Sequence, residues 1–244
     1  MADVLVLCYH AVSERFPAAL SVTPEAFERQ LHLLSRAGYR GATFEDAMRS
    51  RSGRTVAITF DDAYLSVLEL GKPLLDAAGF PATVYAPTDY LDTPERPLSW
   101  DGIEQWHGGE HERELLPMSW DQLGGLAEGG WEIGSHTRTH PHLTEVDDET
   151  LRAELEESRA TLEQRLGRPC RTLAYPYGDY DERVVAAAAA AGYAAAGTLP
   201  ARLHAEQPLA WPRIGIYHGD DERRFRLKVS RVMRRLRGSR LWRG

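Results

Sequence analysis

Two short polar motifs, Thr59-Phe60-Asp61-Asp62 and Ser135-His136-Thr137-Arg138-Thr139-His140, carry residue types suited to one chemistry. Two adjacent carboxylates and two histidines four residues apart can bind a single divalent metal and still leave one carboxylate as a base. A hydrolytic metal site commonly has three protein ligands and an open position for water. Asp62, His136 and His140 supply such a set. A bound ion lowers the pKa of its water from about 15.7 toward about 7. If strand geometry persists through the acid pair, neighbouring side chains alternate, so Asp61 faces away from Asp62 and is free to take the proton.

Two further segments fit the same chemistry. In Tyr175-Pro176-Tyr177-Gly178, proline followed by an aromatic and a glycine makes a stiff turn. From there the Tyr177 N–H can point into a site and steady an oxyanion; an ordinary strand-to-helix turn would read the same way. Tyr9-His10 closes the first apolar run. A histidine there can protonate a leaving amine, because its pKa lies near neutrality, or can simply be hydrogen-bonded in a core.

The elements that must position these residues follow from periodicity. Strand-like runs fall at 4–9, 56–60, 81–86, 131–135, 172–175, 193–198 and 211–216. Helical patterns lie between them at 24–37, 66–78, 119–128, 147–166 and 181–191, with a last helix at 221–236. Alternation of this kind implies a parallel sheet. Seven or eight such units in about 220 of the 244 residues favour an α/β fold, a single closed or nearly closed barrel of about seven strands, over an open doubly wound sheet. In such a barrel, chemistry gathers at the strand C-terminal ends. His10, Asp61, Asp62, His136, His140 and Tyr177 all fall there. Residues 1–220 form the expected barrel. The aperiodic stretch 88–118 reads as a lid-like insertion over the strand ends, or else as disorder.

At this point the chain resembles a known family. The motifs at 59–62, 135–140 and 175–178 are similar to the first three motifs of the polysaccharide deacetylases, carbohydrate esterase family 4, and the flanking segments 118–123 and 131–134 are similar as well. The resemblance implies a distorted (β/α) barrel that removes N-acetyl groups from amino sugars. It implies that Asp61 is the general base, and that Asp62, His136 and His140 bind one divalent metal, zinc foremost, with cobalt, nickel, iron or manganese as substitutes. Pro176 and Tyr177, in the third of these motifs, remain the candidates for oxyanion and substrate binding from the turn they form. The chain also departs from the pattern. Ala174 stands where the family usually has an arginine, and Arg171 is out of register. The later tryptophan motif and the Leu-x-His motif are not clearly present, although Ile216-Tyr217-His218 imitates the latter. These gaps resemble the permuted branch that includes the poly-N-acetylglucosamine deacetylases, in which the acid comes from an N-terminal Tyr-His. His10 is therefore preferred to His218 as the acid, and Arg213 is a candidate to hold Asp61 ionised, with a surface arginine as the alternative.

Charge divides the chain. Its net charge is −7, yet residues 222–244 hold ten Arg and Lys against one Glu. Phe225, Val229, Val232 and Leu236 make one apolar stripe on this basic amphipathic segment. The stripe can pack on the barrel or dock on an anionic membrane, and the ending Arg240-Leu241-Trp242-Arg243 suits an interface. Nucleic acid is not expected as a partner, since no recognition motif is present and the body is acidic. Cys8 and Cys170 read as buried thiols acting as small hydrophobes. The N-terminus lacks a basic n-region and no run is long enough to span a membrane, so a cytoplasmic chain is expected, peripheral at the inner membrane face if the stripe docks there. The expected function is metal-dependent de-N-acetylation of an amino-sugar glycan or lipid-linked sugar. The rivals are an amidohydrolase acting on a small amide or cyclic imide, and a glycan-binding pseudoenzyme.

Overall fold

The computed structural model describes residues 3–50 and 53–239. The chain opens with β1 (Asp3–Tyr9), the short pair β2 (Ala11–Val12) and β3 (Ser21–Val22), and α1 (Pro24–Arg36). Thr23 caps α1 through the Ala26 N–H, and Pro24 sits in the first turn, where no N–H is needed. Next come β4 (Arg40–Ala42), α2 (Phe44–Arg49) and β5 (Arg54–Phe60). A π-turn over Val67–Gly71 leads into α3 (Lys72–Ala78), then β6 (Thr83–Ala86). The rest alternates: α4 (Trp120–Glu128), β7 (Glu132–Ser135), α5 (Asp148–Leu166), β8 (Thr172–Ala174), α6 (Glu182–Ala190) and β9 (Ala195–Thr198). Two short strands, β10 (Trp211–Pro212) and β11 (Ile214–Gly215), precede α7 (Glu222–Val229) and α8 (Arg231–Arg237).

Every ladder is parallel, in the order β10-β9-β8-β7-β6-β5-β1-β11. β10 pairs with β9 and β11 with β1, and only Arg213 lies between them, so one extended segment closes the barrel. Counting that segment once gives seven wall strands. β4 adds an eighth beside the N-terminal half of β5, where β6 has not yet begun to pair.

Strand alternation divides the core in two. Leu5, Leu7, Val56, Ile58, Phe60 and Leu173 point outward and pack against the helices. Val6, Ala57, Tyr85, Ala174 and Ala195 point into the barrel. The interior residues are mostly small, which leaves room for larger polar groups near the rim.

Several expectations change. β4 and α2 were not foreseen in the sequence. The helix expected at 66–78 begins as a π-turn. The segment 88–118 contains three 3-10 turns and buries Leu98, Trp100, Ile103 and Leu115, so it is built structure. The single helix expected at 221–236 is broken at Ser230, whose backbone is extended (φ −60°, ψ 129°). The expected stripe is broken with it: Phe225 is fully buried, whereas Val232 is 74% exposed. Arg240-Leu241-Trp242-Arg243 lies outside the described residues. Among the described residues no helix is long and apolar enough to cross a membrane.

Candidate active site

β5 ends at Phe60, but the Asp61 N–H still donates to the Tyr9 carbonyl (3.0 Å), carrying the ladder one residue further. Asp62 and Ala63 then adopt left-handed backbones with φ of 70° and 54°. The two acids thus separate because the chain turns at Asp62, not because a strand continues through both. Among the described residues the other non-glycine positive φ values are at Thr137, His140 and Tyr177. Four of the five lie in the three motifs at 59–62, 135–140 and 175–178, and Ala63 directly follows the first. Such conformations cost about 1–3 kcal/mol each and persist only where the surroundings dictate them.

The histidine loop is held from two sides. The Thr137 N–H donates to Ser135 Oγ and the His140 N–H to Thr137 Oγ1. Glu154 of α5, itself buried, accepts from the backbone N–H groups of Arg138 (2.8 Å) and Thr139 (2.9 Å) and from the Thr139 hydroxyl (2.7 Å). Sequence reasoning missed Glu154. Its signal was an acid on the buried stripe of α5, between Leu151 and Leu155.

His136 Nδ1 donates to the Ala174 carbonyl at 2.8 Å, which fixes the tautomer and leaves Nε2 as a ligand atom. His136 Nε2 and His140 Nε2 stand 3.3 and 3.4 Å from Asp62 Oδ1. That oxygen is buried, and it lies within ion-pair distance of both rings without hydrogen-bond alignment to either. The three ligand atoms lie within 4.8 Å of one another. Three buried donors that converge without satisfying each other fit a metal ion, and an N₂O set suits zinc and similar first-row ions. Burial pushes the His140 pKa down to about 3, so its ring is neutral and ready to ligate. Burial alone would also lower the pKa of His136, but the Asp61 and Asp62 charges outweigh it and raise it. Trp100, from the 88–118 segment, stacks on His140 with centroids 4.1 Å apart.

Asp61 has a separate partner. Arg213 Nη1 donates to Oδ1 at 2.6 Å and Nη2 to Oδ2 at 2.8 Å, a bidentate pair with both groups buried. Burial alone would raise the Asp61 pKa; the Arg213 charge dominates and holds the carboxyl well below the usual carboxylate range. Arg213 enters the barrel between β10 and β11 and runs over Gly197, where an added Cβ would sit 2.6 Å from Nε. Cys8, on the inner face of β1, places Sγ 3.3 Å from Asp61 Oδ2.

His10 follows β1 and lines the same cleft of about 340 Å³ as Asp61, Asp62, His136 and His140. It is 8% exposed, and its Nδ1 has no hydrogen-bond partner among the described residues. Burial lowers its pKa more than the neighbouring aspartates raise it. His218 is exposed and lies away from the cleft lining. Pro176 is buried in a 3-10 turn after β8, and Tyr177 lines the cleft with its ring against His140 and stacked on His142. The fold therefore gathers every candidate residue except His218.

Comparison with known proteins agrees with this geometry. The polysaccharide deacetylase family model matches residues 48–196. YxkH of Bacillus subtilis (strain 168), which carries a polysaccharide deacetylase name, is 25% identical over 198 residues, or 79% of this chain and 63% of YxkH. The chain thus spans less than two thirds of that relative. The Streptococcus pyogenes deacetylase PplD, solved in complex with acetate, shares the fold with a TM-score of 0.78 at 21% identity, covering 93% of this chain and 98% of PplD. IcaB from Ammonifex degensii shares it with a TM-score of 0.68 at 23% identity, covering 88% and 93%. With the family pattern running through more than half its length and on into the strands that carry the cleft, this chain belongs to the polysaccharide deacetylase family.

Proposed function

We propose that the chain removes N-acetyl groups from an amino-sugar glycan, releasing acetate and a free amine. The observation that carries this reading is the pairing of a convergent, buried Asp62–His136–His140 set with a neighbouring aspartate held ionised by a different partner. A divalent ion held by those three residues, zinc or a similar metal, would supply Lewis acidity and a water of lowered pKa. Asp61 is ionised and clamped by Arg213, so it can accept the proton of the attacking water. The Tyr177 N–H, on a backbone fixed by Pro176, is the donor for the developing oxyanion. His10, buried in the same cleft, is the candidate to deliver a proton to the departing amine, a role that requires it first to be protonated against the burial that lowers its pKa. Residues 88–118 serve as the lid, with Trp100 as the group that shields His140 from water.

The test joins two measurements on the purified protein: its metal content, and acetate release over a panel of N-acetylated glycans. About one bound divalent ion with acetate released from an acetylated amino sugar supports the proposal. Turnover of small cyclic imides or amides alone would assign an amidohydrolase. A loaded site with no turnover on either class would leave a glycan-binding protein. The anionic-membrane contact proposed for 222–244 has narrower support, because Lys228, Arg231 and Arg234 are engaged with Asp220 and Asp3 of the barrel. Co-sedimentation with anionic vesicles, with and without 222–244, tests it.

A further inference from the structure

Strand alternation on β1 puts Val6, Cys8 and His10 on one side, and on β5 it puts Ala57, Thr59 and Asp61 on one side. The ladder pairs Cys8 with Thr59, so both rows meet inside the barrel just below the cleft. Cys8 is fully buried. Burial, aided by the Asp61 charge and against the pull of Arg213, holds its pKa well above the ordinary thiol value. The sulfur therefore keeps its proton and acts as a donor.

A carboxylate offers about four lone-pair sites. On Asp61, Oδ2 accepts from Arg213 Nη2 and from the Cys8 S–H, while Oδ1 accepts from Arg213 Nη1. This leaves one site, on Oδ1. The cleft that Asp61 lines also holds the buried Nδ1 of His10, which has no hydrogen-bond partner among the described residues, and one ligand atom each of Cys8, His10 and Asp61 lies within 4.8 Å of the others. These three do not suit a second cation, because the Arg213 guanidinium, bonded to both carboxylate oxygens, already balances the Asp61 charge.

We propose that Cys8 is a positioning residue that fills the second lone pair of Asp61 Oδ2, so that Oδ1 is the oxygen that receives the proton of the attacking water. The inference rests on the reading of Asp61 as the base. It gives the thiol a task that a small hydrophobe in the same place could not perform.

The test uses the full chain with Cys8→Ala and Cys8→Ser, and begins with a readout independent of turnover. The chain has two cysteines. Cys170 faces the Thr172 carbonyl at 3.7 Å, a weaker acceptor than a carboxylate. The infrared S–H stretch of the wild type should therefore show two bands, and the lower-frequency one should vanish in Cys8→Ala. In acetate release, Cys8→Ala should lower kcat about tenfold with KM and metal content unchanged, as expected for one lost hydrogen bond to a charged group. Cys8→Ser keeps a donor and should restore most of kcat. If Cys8→Ala does not fold, Cys8→Val fills the volume without a donor and takes its place. A wild type without a lower-frequency band overturns the proposal. So does wild-type kcat in the alanine or valine variant, or an equal loss in Ala and Ser accompanied by metal loss. A wild type that shows the band but releases no acetate overturns the deacetylase reading instead, before any substitution is made.

Discussion

At Asp62 the chain leaves its strand with a φ of 70°, and at Asp61 it has not yet done so. One backbone turn thus sends adjacent carboxylates to different partners, Asp61 to Arg213 and Asp62 to the two histidines. Asp61→Asn should lower turnover by about two orders of magnitude or more with metal retained, whereas Asp62→Asn should lose the metal. Metal analysis beside kcat checks this, and metal loss from Asp61→Asn would reverse the roles. His10→Ala and His218→Ala, compared in the same assay, test the acid; only His10→Ala should lose activity, since His218 lies outside the cleft. Arg213→Lys keeps a charge but not the two-pronged fork. The Asp61 carboxyl, now depressed by Arg213, should rise in pKa. Because the base must be ionised, the acid limb of the kcat/KM profile should move to higher pH; an unmoved limb would deny Arg213 its part. The motifs made Asp61, Asp62, His136 and His140 legible in the sequence. The reason offered for dividing the acids, strand alternation, was not the operative one, because a left-handed residue cannot be read from Asp-Asp. The contact of Cys8 with Asp61 was unreadable for another reason: its partner depends on the register of β1 against β5.

The element that completes the site is the closing segment, β10 and β11, which passes from β9 to β1 across Arg213. Arg213 can enter because β9 offers Gly197 beneath it, where any side chain would meet the guanidinium arm. Gly197→Ala would place a Cβ 2.6 Å from Arg213 Nε and 2.7 Å from Cδ, so the guanidinium must shift. The expected result is a large fall in kcat with a lower Tm. Gly124→Ala in α4 meets nothing within 4 Å and should be neutral, or stabilising by about 0.5–1 kcal/mol. Activity and melting curves of the two variants check this, and a fully active Gly197→Ala would separate Arg213 from the site. Long apolar strands and capped helices were readable from periodicity. β4 and α2 were not, since three and six residues are too few to show a period. The break at Ser230 was hidden by an apolar spacing that runs through it, while the packing of Phe225 and the reach of Arg234 fix the two helices separately.

Across the whole molecule, α7 and α8 act as a strap along the barrel wall. Near the rim Lys228 binds Asp220 and the Gly215 carbonyl, and at the opposite end Arg234 binds Asp3 (2.5 Å), the Val4 carbonyl and Tyr39. The acidic body and basic end are therefore partly complementary within one chain, and β1, which carries Cys8 and leads to His10, is held by its last helix. Burial alone would raise the pKa of Asp3; Arg234, with help from Tyr39 and Arg231, brings it below the ordinary value of 3.8. A carboxylate with a depressed folded-state pKa contributes stability that is present in full above the unfolded value and is lost as pH falls through the folded one. Arg234→Ala should therefore destabilise the protein near neutrality by about 1–3 kcal/mol, between the values for exposed and buried pairs. The gap to wild type should hold from neutral pH down to about 4 and narrow below it, as Asp3 takes up its proton in both proteins. Denaturant melts across that range check the argument: a gap independent of pH would mean that the strap holds by packing alone, and no gap at all would mean that α8 contributes nothing to keeping β1 in the wall.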